Sequence, residues 1–281
     1  MSATTTPAAI SPEDFEFIAT LVRREAAIVL EPGKEYLAEN RLHPVARQAG
    51  LESIGDLVRR LREGSGDLTG QVIDALTTNE TSFFRDAHPW DALRDELIPQ
   101  LLDMRSASRT LTVWCAASSS GQEPYTLAML LKDSFGAALE GWIVRIIATD
   151  ISPSMIERTR EAKYSQLEVN RGLPAPLLVR HFTRAGMSWQ LNTDVRTMVD
   201  ARLMNLDDPA DYERLPNVDL VLMRNVLIYF DVETKRQILT RTHGLLRPGG
   251  FLFLGSSETT INLVDDYERV QAGKTICYRK P

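Results

Sequence analysis

From about residue 110 onward the chain alternates short β-branched runs with helical stretches, and that alternation leaves few folds open. The runs TLTVWCAA, WIVRIIATD, VDLVLMRN and FLFLG are rich enough in Val, Ile and Leu to be strands buried on both faces. Between them the segments near 121–135, 153–162 and 232–246 have helical spacing. Strand, helix and strand in repetition mean βαβ units wound onto a mostly parallel sheet. The rhythm fails between 163 and 198, where RHFTRAG and SWQLNTDVRTMV read as short antiparallel strands about a Gly-Met-Ser turn. A small β-subdomain is therefore expected as an insert within a domain running from 109 to 281.

Ahead of the sheet the period is that of helices. Ser11-Pro12-Glu13-Asp14 reads as an N-cap, a proline at the first helical position and an acidic first turn, followed by Phe15, Ile18, Leu21 and Val22 at helical spacing. Further periodic runs lie at 34–49, 53–62 and 67–77, punctuated by Gly33, Gly50, Gly64 and Gly66. We expect a helical domain over 11–82, a linker and helix over 83–108, and a disordered tail over 1–10, which is too poor in apolar bulk to order itself.

The 38 acidic residues outnumber 32 Lys and Arg, giving a formal charge of −6. A general nucleic-acid binder needs a basic face to release counterions, so that class is disfavoured. No apolar run approaches the roughly 20 residues of a membrane helix and no signal segment opens the chain, so a cytoplasmic protein without membrane insertion is expected. Cys115 and Cys277 lie in apolar strand-like runs and read as reduced core residues. His43, His88, His181 and His243 are scattered, and no metal site is expected. With no large exposed apolar stripe, a monomer is expected.

A doubly wound sheet binds its ligand at the carboxyl ends of its strands. After the first strand comes Ala116-Ala117-Ser118-Ser119-Ser120-Gly121-Gln122-Glu123-Pro124-Tyr125, small side chains that let backbone approach a ligand. The spacing is not the glycine pattern of a dinucleotide site, and Glu123 would repel a pyrophosphate, which disfavours a nicotinamide oxidoreductase. The second strand ends at Asp150, where a carboxylate can accept both hydroxyls of a ribose, although an aspartate there serves equally as a helix N-cap. Beyond VDLVLM, the polar Arg224, Asn225 and Tyr229 stand among apolar neighbours and need partners, which a ligand or, for Tyr229, a backbone carbonyl would supply.

Taken in order, LTTNETSFFR (76–85), WCAASSSGQEPYT, ATDIS and Arg224-Asn225-Val226-Leu227-Ile228-Tyr229-Phe230-Asp231, with the later LLRPGGFLFLGSSE, resemble the CheR family of chemoreceptor methyltransferases. The likeness runs from about residue 11 to 280. It implies a Rossmann-like class I methyltransferase sheet carrying a small antiparallel β-subdomain and preceded by an all-helical N-terminal domain. It also implies S-adenosylmethionine as methyl donor, S-adenosylhomocysteine as product, and glutamate γ-carboxylates of methyl-accepting chemotaxis receptors as acceptors. By matching motifs, Asn79, Thr81, Arg85, Glu123, Asp150, Asn205, Leu206, Arg224 and Asn225 would surround the donor, and Arg85 and Tyr229 would lie nearest the transferred methyl. The basic stretch NRLHPVARQAG (40–50) falls where the family's receptor-facing helix is basic, pointing to Arg41 and Arg47 as receptor contacts, against the alternative of a solvated face.

This chain departs from the family at Glu80, where an apolar residue is more frequent, at Gln122, where an acid is, and at Ser120, where threonine is. Its turn between Phe182 and Val199 is several residues shorter than in members that grip a receptor's C-terminal pentapeptide, so a pentapeptide-independent enzyme is expected. The competing functions are a protein that only senses the donor and a nucleic-acid methyltransferase on the same fold. The intact motif set disfavours the first, and acidic charge with no N-P-P-Y-type or catalytic-cysteine signature disfavours the second.

Overall fold

The computed structural model describes residues 10–281. The tail expected over 1–10 therefore lies outside the described residues except for Ile10, whose N–H donates to Glu39 Oε1 at 2.6 Å and whose side chain packs on the helical core. Order thus begins at least one residue earlier than the sequence pattern indicates. The chain divides into two units, 10–78 with Tyr229–Asp231, and 79–228 with 232–281.

In the first unit, α1 (Pro12–Ala26), α2 (Glu35–Gln48), α3 (Ile54–Arg62) and α4 (Gly66–Leu76) follow the periodic runs. Ser11 caps α1 by accepting the Asp14 N–H, and Ser53 caps α3 by accepting that of Asp56. Ile18, Val22, Leu42, Leu57 and Val72 are fully buried between the helices, each stabilising by about 1.5–3 kcal/mol. Pro44 lies inside α2 without ending it. An interior proline costs about 3 kcal/mol, which burial of Leu42, Val45 and Ala46 on the same helix offsets.

The second unit opens with α5 (His88–Ala92), a π-helical turn at Leu93–Leu97 and α6 (Ile98–Met104), and then enters the sheet domain. There β1 (Thr110–Ala116), α7 (Gln122–Phe135), β2 (Ile143–Asp150) and α8 (Pro153–Glu161) form the first βαβ unit. The insert follows: β3 (Lys163–Ser165), α9 (Gln166–Asn170), α10 (Ala175–His181), β4 (Phe182–Ala185), β5 (Ser188–Leu191) and the helical turn α11 (Thr193–Arg196). The main sheet resumes with β6 (Val199–Leu203), α12 (Pro209–Tyr212), β7 (Val218–Met223), α13 (Val232–Leu245), β8 (Leu246–Leu254), β9 (Glu268–Ala272) and β10 (Thr275–Arg279).

The seven strands lie in the order β6-β2-β1-β7-β8-β10-β9, and a separate three-stranded sheet has the order β3-β5-β4. Pairing is parallel from β6 to β8 and antiparallel through β10 and β9. Because β2 lies on one side of β1 and β7 on the other, strand order reverses beside β1, and the crevice where such sheets bind ligands opens at the tips of β1 and β7.

Two strands differ from expectation. VDARL (199–203) forms the edge strand β6, hidden in the sequence because Asp200 and Arg202 interrupt its apolar residues, as an edge permits. Lys163–Ser165 adds a third strand to the insert, too short to announce itself. The insert grips the segment ahead of α5. Phe83 is fully buried with its ring edge-on to Tyr164 (5.1 Å) and Phe182 (5.8 Å), and a Cβ added at Gly172 would overlap the Phe83 carbonyl.

Candidate functional site

At the tip of β1 the chain turns through Ala117, Ser119 and Gly121, all at positive φ. Small side chains tolerate this path, and neighbouring groups hold it. The Ser119 N–H donates to Asp150 Oδ2 (2.8 Å) and its hydroxyl donates to the Asn79 carbonyl (2.9 Å), while the Tyr164 hydroxyl donates to the Ser120 carbonyl (2.8 Å). Gly121 is demanded by packing, since a Cβ there would lie 2.9 Å from Thr159 Cγ2 and 3.1 Å from the Tyr125 ring.

Asp150 ends β2 and is not the cap of α8. Ser152 fills that role by accepting the Met155 N–H. The aspartate instead joins two loops, taking the Ser119 N–H on one oxygen and the Ser152 N–H (2.9 Å) on the other.

Beyond β7, Arg224 is 3% exposed and bonds Glu123 (2.8 Å), Asp86 (2.6 Å) and the Arg85 carbonyl (3.1 Å), with its guanidinium 6.0 Å from the Trp90 ring centre. Burial pushes the Glu123 carboxyl above the usual carboxylate range, while Arg224 and Arg85 pull it back. Asn225 follows at φ 60°, and its N–H donates to Glu258 Oε2 (2.7 Å). The same carboxylate accepts the N–H groups of Gly255 (2.6 Å) and Ile228 (3.3 Å), tying the loop after β7 to the loop after β8. Among the described residues, three buried side-chain atoms here have no hydrogen-bond partner: Ser118 Oγ, Arg224 Nε and Asn225 Oδ1.

Unit two thus brings together Asn79, Arg85, Glu123, Asp150, Arg224 and Asn225, with Thr81 half-buried on the same segment as Asn79. The Arg85 guanidinium folds back to donate to the Glu80 carbonyl (3.0 Å). Asn205 and Leu206 lie just beyond β6. The Asn205 N–H donates to Asp211, and the buried Leu206 offers its carbonyl to the Tyr212 hydroxyl (3.0 Å). Tyr229 groups with the helical unit, where its carbonyl accepts the Val29 N–H (3.0 Å). Arg41 and Arg47 also belong to that unit. Arg41 is committed to the C-terminal carbonyls of α4, donating to Leu76 (2.8 Å) and Thr77 (3.1 Å), whereas Arg47 is exposed with no ion pair among the described residues.

Asp86 and Glu258 were missed by sequence reasoning. Both stand inside or beside quoted motifs, but an acid that bonds a distant loop leaves no local signal.

Residues 79–276 match the CheR methyltransferase SAM binding domain, and residues 13–77 match the CheR methyltransferase all-alpha domain. The chain is 42% identical to chemotaxis protein methyltransferase 1 of Pseudomonas aeruginosa over 95% of its own length and 97% of that protein. It is 39% identical to a chemotaxis protein methyltransferase of Pseudomonas putida over the same shares. With a Vibrio parahaemolyticus chemotaxis protein methyltransferase it shares 36% identity over 96% and 98%. The donor set suits S-adenosylmethionine: a carboxylate at the tip of β2 and another in the first turn of α7 for a ligand bearing hydroxyls and positive charge, and a buried Asn225 Oδ1 beyond β7 with no partner among the described residues.

Proposed function

The chain belongs to the CheR methyltransferase family, and from that premise we propose that it methylates glutamate γ-carboxylates of bacterial chemoreceptors, forming methyl esters without help from a receptor C-terminal pentapeptide. The observation that carries this reading is the cluster at the β1–β7 crevice, where buried polar atoms of Ser118, Arg224 and Asn225 await partners beside Glu123 and Asp150. The names of the three relatives described above, chemotaxis protein methyltransferases matched over nearly the whole chain, support the acceptor.

S-adenosylmethionine supplies a methyl on a sulfonium, already electrophilic. A glutamate carboxylate, with an ordinary pKa near about 4.3, is anionic at neutral pH and requires no general base. What remains for the protein is alignment. Asp150 would take the ribose hydroxyls, with Asn79, Thr81, Glu123, Asn205, Leu206, Arg224 and Asn225 lining the rest of the donor. Arg85 spends one N–H on the Glu80 carbonyl, and its other donors suit an incoming carboxylate, which it would orient by charge-assisted hydrogen bonds. Tyr229 would bond the same carboxylate or orient the methyl.

Receptor methylation helices are acidic, so a basic helix end would assist docking. In this reading Arg47 meets the receptor and Arg41 shapes the neighbouring chain from which the Asn79–Arg85 segment departs. The two-residue turn Gly186–Met187 between β4 and β5 supports pentapeptide independence. Among the described residues no helix is long and apolar enough to cross a membrane, and the reading is of a cytoplasmic monomer.

The test is transfer of radiolabelled methyl to membranes holding the cognate receptors, followed by mild alkali. Volatile methanol released from receptor bands is the expected result. Label on no receptor, with S-adenosylhomocysteine still bound in calorimetry, would move the function to another acceptor.

A further inference from the structure

Arg224 sits just beyond the end of a central strand, and its guanidinium bridges Glu123, in the first turn of α7, to the segment that carries Arg85. Three of its hydrogen bonds are made to Glu123, Asp86 and the Arg85 carbonyl. That carbonyl is held a second time, by the Trp90 indole N–H at 3.1 Å. The segment so held is strained: Phe84, Asp86 and Ala87 have φ of 47°, 66° and 47°. Side chains rarely adopt that region, and a run of such residues persists only where the surroundings over-determine it. The anchors are the Phe84 N–H on Thr126 Oγ1 (3.2 Å), Phe83 wedged between Tyr164 and Phe182, and Arg224 on Arg85 and Asp86. Of these, Arg224 alone acts on Arg85 and its neighbour together and is itself rooted in the sheet.

We propose that Arg224 is a positioning residue: through Asp86 and the Arg85 carbonyl it fixes the backbone from which the Arg85 side chain reaches the acceptor, and this, more than contact with the methyl donor, is what its guanidinium does. The inference rests on the reading of Arg85 given above. Asp86 is the discriminating partner, because it bonds Arg224 and, at 36% side-chain exposure, can be changed without opening the core.

The experiment uses the full chain and four variants, Asp86→Ala, Asp86→Asn, Arg224→Lys and Arg85→Ala. S-adenosylhomocysteine affinity is measured by calorimetry, and kcat and KM on receptor-bearing membranes at saturating donor. Displacing the segment by a fraction of an ångström lowers kcat of Asp86→Ala about tenfold, with the dissociation constant for S-adenosylhomocysteine within about threefold of the parent. Arg224→Lys lowers kcat likewise, since one ammonium cannot bridge Glu123, Asp86 and a carbonyl. Asp86→Asn keeps an acceptor and recovers most of the parental kcat, a rescue that loss of general stability would not show. An Asp86→Ala protein with kcat within about twofold of the parent overturns the proposal, as does Arg224→Lys losing donor affinity about tenfold or more while Asp86→Ala does not. Parental kcat in Arg85→Ala would instead remove the role of Arg85 on which the inference stands. An impaired Arg85→Ala beside a normal Asp86→Ala retires the positioning role alone.

Discussion

The two ends of the parallel sheet each hold a buried arginine–carboxylate cluster, and the clusters are built on different plans. At the amino ends of the strands Asp219 is 0% exposed and paired on both oxygens, with Arg105 (2.7 Å) donating to one and Arg247 (2.8 Å) and the Thr112 N–H (2.8 Å) to the other, although Thr112 Oγ1 has no partner among the described residues. At the carboxyl ends Arg224 is as deeply buried, but its own Nε and the adjacent Asn225 Oδ1 have no partner, and several nearby residues sit at positive φ. A satisfied network stabilises, whereas one with spare donors, spare acceptors and strained backbone is what a ligand completes. Both ends pair arginine with carboxylate and bury one member of the cluster, Asp219 at one end and Arg224 at the other, so such pairing alone does not identify a site. A charged group left with an unpartnered donor beside strained backbone does.

That contrast can be broken by substitution. Asp219→Ala takes the partner from two half-buried cations and a buried N–H, and we expect a loss of about 2–3 kcal/mol in urea unfolding, with S-adenosylhomocysteine affinity of the folded protein kept. If affinity collapses and stability holds, the two ends are not distinct. Asp150→Ala should do the reverse, weakening S-adenosylhomocysteine about a hundredfold in calorimetry, about 2.7 kcal/mol, for a smaller loss of stability. Gly172→Ala probes the grip of the insert on Phe83. A Cβ against a backbone carbonyl, at φ +90°, should cost about 1–3 kcal/mol and lower methyl transfer more than donor affinity, which a transfer assay beside calorimetry will separate.

Asn225→Gly sharpens the comparison most. It removes a buried unpartnered oxygen and suits the positive φ, so chemical unfolding should show stability unchanged or raised by about 0.5 kcal/mol, while donor affinity falls about tenfold. A fall in both would mean that the asparagine side chain is structural. Smallest of all, Glu80→Leu removes an exposed ion pair with Arg171. Such pairs contribute little, and differential scanning should find the melting midpoint moved by no more than about 1 °C.

Much of this was legible beforehand because periodicity reports burial, and burial dominates the fold. The β-branched runs of β1, β2, β7 and β8 and the capped helix α1 announced themselves through local patterns. The edge strand β6 did not, since an edge tolerates Asp200 and Arg202. At the site, the motifs brought the eye to Glu123, Asp150, Arg224 and Asn225, and the structure draws these together. Hidden from the sequence was the direction of the Arg224 side chain, along with the roles of Asp86 and Glu258, because all three depend on partners tens of residues away or more. Arg41 is the same lesson with opposite sign: a basic helix residue that local charge suggested for docking is occupied by the end of α4.

Glu258 has a bearing on how this enzyme can be rebuilt. One carboxylate accepts N–H groups from Asn225, Ile228 and Gly255, so the loops after β7 and β8 behave as a single cassette. A chimera that imports one of them from a relative brings mismatched spacing to a three-way junction, and even a one-residue insertion between Gly255 and Glu258 would detach it. Loop transplantation aimed at new acceptors should therefore exchange both segments together, and libraries that diversify either one alone should be dominated by inactive clones.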